Sequence, residues 1–184
     1  MNNVMLDLET MGQGSNAAIV AIGAVFFDPI TGEIGDSFYK KIALEDAVKF
    51  GDIDASTVIW WLKQSDAARA EITSDDTNVL REALYAFSDW IGQIENIHDR
   101  VVWGNGASFD NVILSNAYKA IKSTKPWRFW NDRDVRTVVE LGLTLKKFNP
   151  KKEVPFIGTT HNAIDDAIHQ AKYVSAIYAI LAKS

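Results

Sequence analysis

Two carboxylates, Asp7 and Glu9, stand one residue apart in the otherwise apolar run Val4-Met5-Leu6-Asp7-Leu8-Glu9-Thr10. In an extended strand both point to one face, about 7 Å apart along the backbone, while Val4, Leu6 and Leu8 point to the other. Paired acids on such a strand are unfavourable unless water, a proton or a cation compensates, and a divalent cation with hard oxygen ligands is the most economical candidate. An edge strand carrying two solvated acids is the plainer alternative. Two further clusters of hard ligands lie far away in the chain. Asp110 follows Gly104-Asn105-Gly106-Ala107-Ser108-Phe109, where a strand ends and a helix begins, a common ligand position in open sheets. It would also serve as a helix N-cap. His161-Asn162-Ala163-Ile164-Asp165-Asp166-Ala167 places a histidine just ahead of a helix and two acids in its first turns, where the helix dipole favours acids in any case.

The combination says more than its parts. Asp7, Glu9, Asp110 and Asp166 supply four carboxylates, and His161 supplies an imidazole, a side chain suited to proton transfer. That set suits phosphodiester hydrolysis with two divalent ions about 4 Å apart, which hold the attacking water and the departing oxygen. The histidine would take the proton from the water.

The elements that must position these groups follow from pattern. After the first strand, Met11 to Asn16 is rich in turn formers. Ala18 to Phe27 is almost wholly apolar and reads as a buried strand, Asp28-Pro29-Ile30-Thr31-Gly32 as a turn, and Glu33 to Ile42 as a returning strand. Three strands in sequence predict an antiparallel meander. Helices are predicted next: one around Val58 to Leu62 capped by Asp54 or Ser56, and one from Asn78 to Ile94 capped by Asp76-Thr77, with Leu80, Leu84, Phe87, Ile91 and Ile94 on one face. Val101 to Trp103 reads as a short strand, Phe109 or Asp110 to Ile121 as a helix, Trp127 to Trp130 as the last strand and Val135 to Leu143 as a helix. Lys146 to Thr160, with Pro150, Pro155 and Gly158, reads as a long loop. A final helix from Ala163 to Ala182 aligns Ala167, Ala171, Val174 and Tyr178. The order predicts an α/β fold with a mixed sheet covered by helices.

At 184 residues the chain suits one domain, 1–184, with no repeat or linker. Its apolar runs fall short of the roughly 20 residues of a membrane span. The first residues lead straight into a strand without the pattern of a secretory signal, and the lack of cysteine permits a reducing compartment, so a cytoplasmic protein is expected. A net charge of −5 argues against broad electrostatic capture of nucleic acid. It leaves room for a nuclease, whose cation-holding carboxylates are neutralised in use.

With these motifs in this order, the chain resembles the DEDDh exonucleases of the ribonuclease H-like fold, over nearly its whole length. The first motif is matched by Asp7-Leu8-Glu9-Thr10, the second by Asn105 through Phe109-Asp110, and the third by His161-x-Ala163-x-x-Asp166-Ala167. Trp60-Trp61 and Trp103-Gly104-Asn105-Gly106 look like a bacterial and phage subgroup described as exodeoxyribonuclease VIII-like or exoribonuclease-like. Trp103-Gly104 departs from the Ala-His that many members carry there. The resemblance implies a ribonuclease H-like sheet of five strands, an antiparallel meander plus parallel strands. It also implies a 3′-5′ exonuclease that hydrolyses single-stranded RNA or DNA 3′ ends to nucleoside 5′-monophosphates. Asp7, Glu9, Asp110 and Asp166 would then bind two Mg²⁺ or Mn²⁺ ions, with His161 as general base. Asp165 competes with Asp166 for the last ligand position, and the motif favours Asp166.

In the family, the loop after the first motif holds the terminal sugar, which assigns Thr10, Met11 and Gly12 there, with Met11 as a wedge against the terminal base. Asn105, Phe109 and Trp61 join the expected substrate contacts. Trp60 and Trp103 are further stacking candidates, and Lys146, Lys147, Lys151 and Lys152 are candidate phosphate contacts. The paired tryptophans or the Lys146–Thr160 loop could instead form a homodimer interface. Two rival functions remain at this point: a noncatalytic nucleic-acid-binding or assembly module of the same fold, and a structure-specific endonuclease.

Overall fold

The computed structural model describes residues 1–183. Its centre is a five-stranded sheet in the order β3-β2-β1-β4-β5. Strand β1 (Asn3–Thr10) pairs antiparallel with β2 (Ile19–Phe27), which pairs antiparallel with β3 (Ile34–Lys41). On its other side β1 runs parallel to β4 (Val101–Gly104), and β4 parallel to β5 (Asp132–Asp134). This is the mixed ribonuclease H-like sheet that the motifs imply.

Both faces are covered. Val4, Leu6 and Leu8 point into a core shared with α2 (Ala55–Leu62), α4 (Leu80–Ile91) and α5 (Asp110–Ala120), whereas Met5 faces a second core built against α6 (Val135–Lys146) and α8 (Ala163–Leu181). By alternation Asp7 and Glu9 lie on the α8 side. The row Ala167, Ala171, Val174 and Tyr178 is the face of α8 that packs there. Among the described residues no helix is long and apolar enough to cross a membrane.

Several sequence expectations need correction. The last strand is Asp132–Asp134, not Trp127 to Trp130; Phe129–Asn131 forms a 3₁₀ turn, and the polar strand pairs through its backbone while Trp127 is buried. Two short helices were not anticipated, α1 (Leu44–Ala47) and α3 (Asp66–Ile72). Within the expected 146–160 loop lies a third, α7 (Pro150–Glu153), started by Pro150, whose missing N–H is harmless in a first turn. Capping also differs. Asp54 occupies the N-cap position of α2 without bonding to it, because its carboxylate accepts from the backbone N–H of Gln13 at 2.6 Å. For α4 the cap comes from a remote element, with Asp46 accepting from the Leu80 N–H at 2.7 Å. A propensity rule sees only neighbours in sequence, so it assigned both roles locally.

One close approach brings α8 to the sheet. Gly23 is the register partner of Asp7, and a Cβ placed there would lie 2.2 Å from the carbonyl carbon of Ala163. Only a residue without a side chain lets the first turn of α8 rest on β2 beside Asp7. Gly23→Ala is therefore expected to destabilise the protein by about 2–3 kcal/mol through overpacking. It should also displace Asp166 and lower nuclease activity, both read by thermal unfolding and an activity assay. An unchanged Tm with full activity would show that α8 is not seated this way.

Candidate active site

Three segments deliver the four acids. Asp7 and Glu9 leave the end of β1, Asp110 opens α5 just beyond β4, and Asp166 sits in the first turn of α8. Gly104 makes the second of these placements possible, since a Cβ there would fall 2.3 Å from Asn111 Oδ1 and 3.1 Å from the Asp110 Cβ. The intervening turn is braced by Asp134, whose carboxylate accepts from the Ala107 N–H at 2.8 Å while also capping α6. Asp110 does not cap its own helix; its Oδ1 accepts from the Leu8 N–H at 3.2 Å, tying the second motif to the first.

The third motif is shaped by backbone geometry. His161 adopts a left-handed conformation with φ 64°, and its N–H donates to Asp166 Oδ2 at 2.9 Å. Asn162 caps α8 by accepting from the N–H groups of Ile164 and Asp165. Asp165 turns away and accepts from the Thr159 N–H at 2.8 Å, so it braces the approach to the helix. The His161 ring meets Trp60 edge to face, with centroids 4.9 Å apart. One ligand atom from each of Glu9, His161 and Asp166 lies within 4.8 Å of the other two.

Electrostatics show the strain of this gathering. Burial pushes the Asp7 carboxyl well above its ordinary range, and Asp110, Glu9 and Asp166 push it further, against a hydrogen bond from Gln170. Glu9 is raised to about 8, mainly by burial and then by Asp166 and Asp110. Burial raises Asp110 to about 7 despite the backbone amides that favour its charge, and burial also raises Asp166. Carboxylates that resist ionisation together present a set of hard donors whose charge a divalent cation would compensate. His161 supplies a nitrogen at the edge of that set.

Beside Glu9 opens a cleft of about 230 Å³, lined by Leu8, Glu9, Thr10, Gly12, Gln13, Thr57, Trp60, Trp61 and Phe109. Of the expected substrate contacts, Thr10, Gly12, Phe109 and Trp61 reach this cleft. Trp61 is only 2% exposed, and its indole N–H donates to the Thr10 carbonyl at 3.0 Å, so it fixes the wall. Met11 is packed into the core, which removes its side chain as a wedge, and Asn105 lies outside the cleft lining. Trp103 is buried against Phe27 and Tyr178 and donates to Asn3 Oδ1, so it is no stacking surface.

Gln170 was missed. It is buried on α8, and its amide N–H donates to Asp7 Oδ1 at 2.7 Å. A signal was there: Gln170 is four residues beyond Asp166, on the same helix face. Gln13 and Thr57 in the cleft had no signal in local pattern.

A family model for the Rv2179c-like 3′-5′ exoribonuclease domain matches residues 2–178. The chain belongs to that family. It is accordingly a 3′-5′ exonuclease. An exodeoxyribonuclease of Enterobacteria phage T4 is 29% identical over 174 residues, covering 79% of this chain and 74% of the relative. The fold is also that of the nuclease domain of 3′hExo, a DEDDh family member bound to rAMP, with TM-score 0.64 at 14% identity over 95% of this chain and 90% of that one. S. pombe Pop2p, in a form with bound Mg²⁺ and Mn²⁺, aligns with TM-score 0.65 at 13% identity over 96% of this chain and 82% of its own.

Two outcomes test the site's architecture. Replacing Gln170 with Leu keeps the volume but removes the donor that holds Asp7, and should lower kcat about tenfold with folding retained. Full activity in this variant would deny Gln170 a positioning role. The second concerns pH. Folded Glu9 and Asp110 hold protons up to about 8 and about 7, whereas the unfolded chain releases them near 4.5 and 3.8. The metal-free folded state therefore binds more protons across that window, so the contribution of these groups to stability is complete in acid and is lost as pH rises towards 8. In chelator, Tm should decline between about pH 5 and 8, less steeply in Glu9→Gln. Mg²⁺ or Mn²⁺ should restore Tm most at the alkaline end; identical slopes in the two proteins would contradict the shift at Glu9.

Proposed function

We propose that this chain is a divalent-metal-dependent exonuclease that removes nucleoside 5′-monophosphates from the 3′ ends of single-stranded RNA or DNA. Asp7, Glu9, Asp110 and Asp166 would hold two Mg²⁺ or Mn²⁺ ions, and His161 would act as general base. The observation that carries the reading is the approach of Glu9, His161 and Asp166 to one another, with Asp7 and Asp110 close enough to act on the neighbouring carboxyls, beside a cleft walled by Thr10, Gly12 and Phe109. Bound cations would supply Lewis-acid stabilisation of the attacking and departing oxygens, a role suited to this all-carboxylate donor set.

The chain's own groups account for the rest. His161, held by its backbone bond to Asp166 and by the Trp60 edge, accepts the proton of the attacking water. The cleft receives the terminal sugar and base, with Thr10 held in place by bonds from its hydroxyl to the Gly12 carbonyl at 2.8 Å and from Trp61 to its own carbonyl. Glu9 lies both in the cleft wall and among the raised carboxyls, so a terminal nucleotide seated there sets its scissile phosphate next to the acids.

The family description names an exoribonuclease and the phage relative is an exodeoxyribonuclease, so matched RNA and DNA oligomers are the substrates to compare. With Mg²⁺ or Mn²⁺, mononucleotide release should be abolished by chelator. Asp7→Ala, Asp110→Ala and Asp166→Ala should each cut turnover by roughly 10³-fold without unfolding the protein. His161→Ala should slow the single-turnover rate by roughly 10²-fold or more while leaving binding nearly intact. Internal fragments in place of mononucleotides, or normal turnover in any of the aspartate variants, would contradict the assignment.

A further inference from the structure

The 3₁₀ turn Phe129–Asn131 presents Phe129 at 71% and Trp130 at 52% exposure, an unusual amount of aromatic surface for one turn. The two rings meet edge to face with centroids 5.0 Å apart, His98 stacks on Trp130 at 5.9 Å, and the Arg128 guanidinium leans over Trp130 at 5.9 Å. This ledge is held firmly. Asn131, buried, donates to the His98 carbonyl at 2.7 Å, and Arg100 ties the neighbouring loop to the Pro126 and Ile94 carbonyls at 2.8 Å each. Its exposed rings therefore belong to an ordered surface.

The charge around it is opposite to that of the chain. Between positions 119 and 133 stand Lys119, Lys122, Lys125, Arg128 and Arg133 against the single acid Asp132, in a protein of net charge −5. Asp132 is occupied by the Trp127 indole N–H and Asn111, with Lys125 3.7 Å away. Glu95 and Asp99 belong to the facing loop, where Asp99 accepts from Asn96.

We infer that this aromatic and arginine ledge is a second contact for the substrate strand, on which unpaired bases upstream of the 3′ end stack while Arg128 and Arg133 meet their phosphates. Aromatic faces combined with cations fit single-stranded nucleic acid of any sequence. The inference rests on the substrate class proposed above. Placement supports it. The ledge precedes Asp132, the register partner of Val102, whereas the acids lie past Gly104 at the other end of the same strands. The separation is on the order of 15 Å, within reach of an oligonucleotide and beyond a dinucleotide.

The test compares KM and kcat for a dinucleotide and for a single-stranded oligomer of about 12 nucleotides. In the Phe129→Ala/Trp130→Ala double variant, KM for the oligomer should rise about tenfold with kcat unchanged, and the dinucleotide should be hydrolysed as by the parent protein. Arg128→Gln/Arg133→Gln should flatten the salt dependence of oligomer binding, measured by fluorescence anisotropy. An unchanged oligomer KM, or equal losses on both substrates, would overturn the inference. So would conversion of a dimer to monomer in light scattering with oligomer binding intact, which would make the ledge a protein interface. If the parent protein hydrolyses neither substrate, the proposed activity fails separately, and anisotropy with the intact oligomer still decides the ledge.

Discussion

The burial of several carboxylates in one place is the constraint on which this structure turns. Burial raises the proton affinity of Asp7, Glu9, Asp110 and Asp166, neighbouring acids of the set raise it further at Asp7 and Glu9, and the fold holds three of the four with fixed hydrogen-bond donors. Asp7 leans on the amide of Gln170, Asp110 on the Leu8 N–H, and Asp166 on the His161 N–H. Such fixed donors stabilise charge without moving, so the acids remain aimed at one place while awaiting compensation. A surface patch of acids would relax apart; these are prevented from doing so by strand ends and helix starts.

Two glycines complete the arrangement from the backbone side. Gly23 lets the first turn of α8 rest against β2, and Gly104 lets the start of α5 close on β4. Both contacts are to main chain or to short side chains with little freedom, so neither position has room for even a methyl group. Helix ends, which carry acids comfortably, are thereby brought within reach of strand ends, which carry them at the expense of burial.

Much of this was legible in residue order. Alternation alone placed Asp7 and Glu9 on one face opposite Leu6 and Leu8, while the resemblance to the family's third motif, not helix spacing, favoured Asp166 over Asp165, which the structure shows bracing Thr159. What could not be read were roles assigned across space. Asp54 and Asp46 cap or brace residues 41 and 34 positions away, and Gln170 serves an acid 163 positions away. Tryptophans were ambiguous for a related reason, since the same residue type is a wall at Trp61, a core residue at Trp103 and an exposed ring at Trp130. The strand Asp132–Asp134 has no apolar pattern at all and exists because β4 offers it a backbone partner.

The wall of the cleft carries a mechanical consequence. Trp61 grips the Thr10 carbonyl, Asp54 grips the Gln13 N–H, and the Asp54 N–H in turn reaches the Met11 carbonyl, so the loop after β1 is riveted to α2 at three points. Loop and helix are thereby joined into one continuous wall. Trp60, carried on the same helix and packed edge to face against the His161 ring, ties the imidazole to that wall as well.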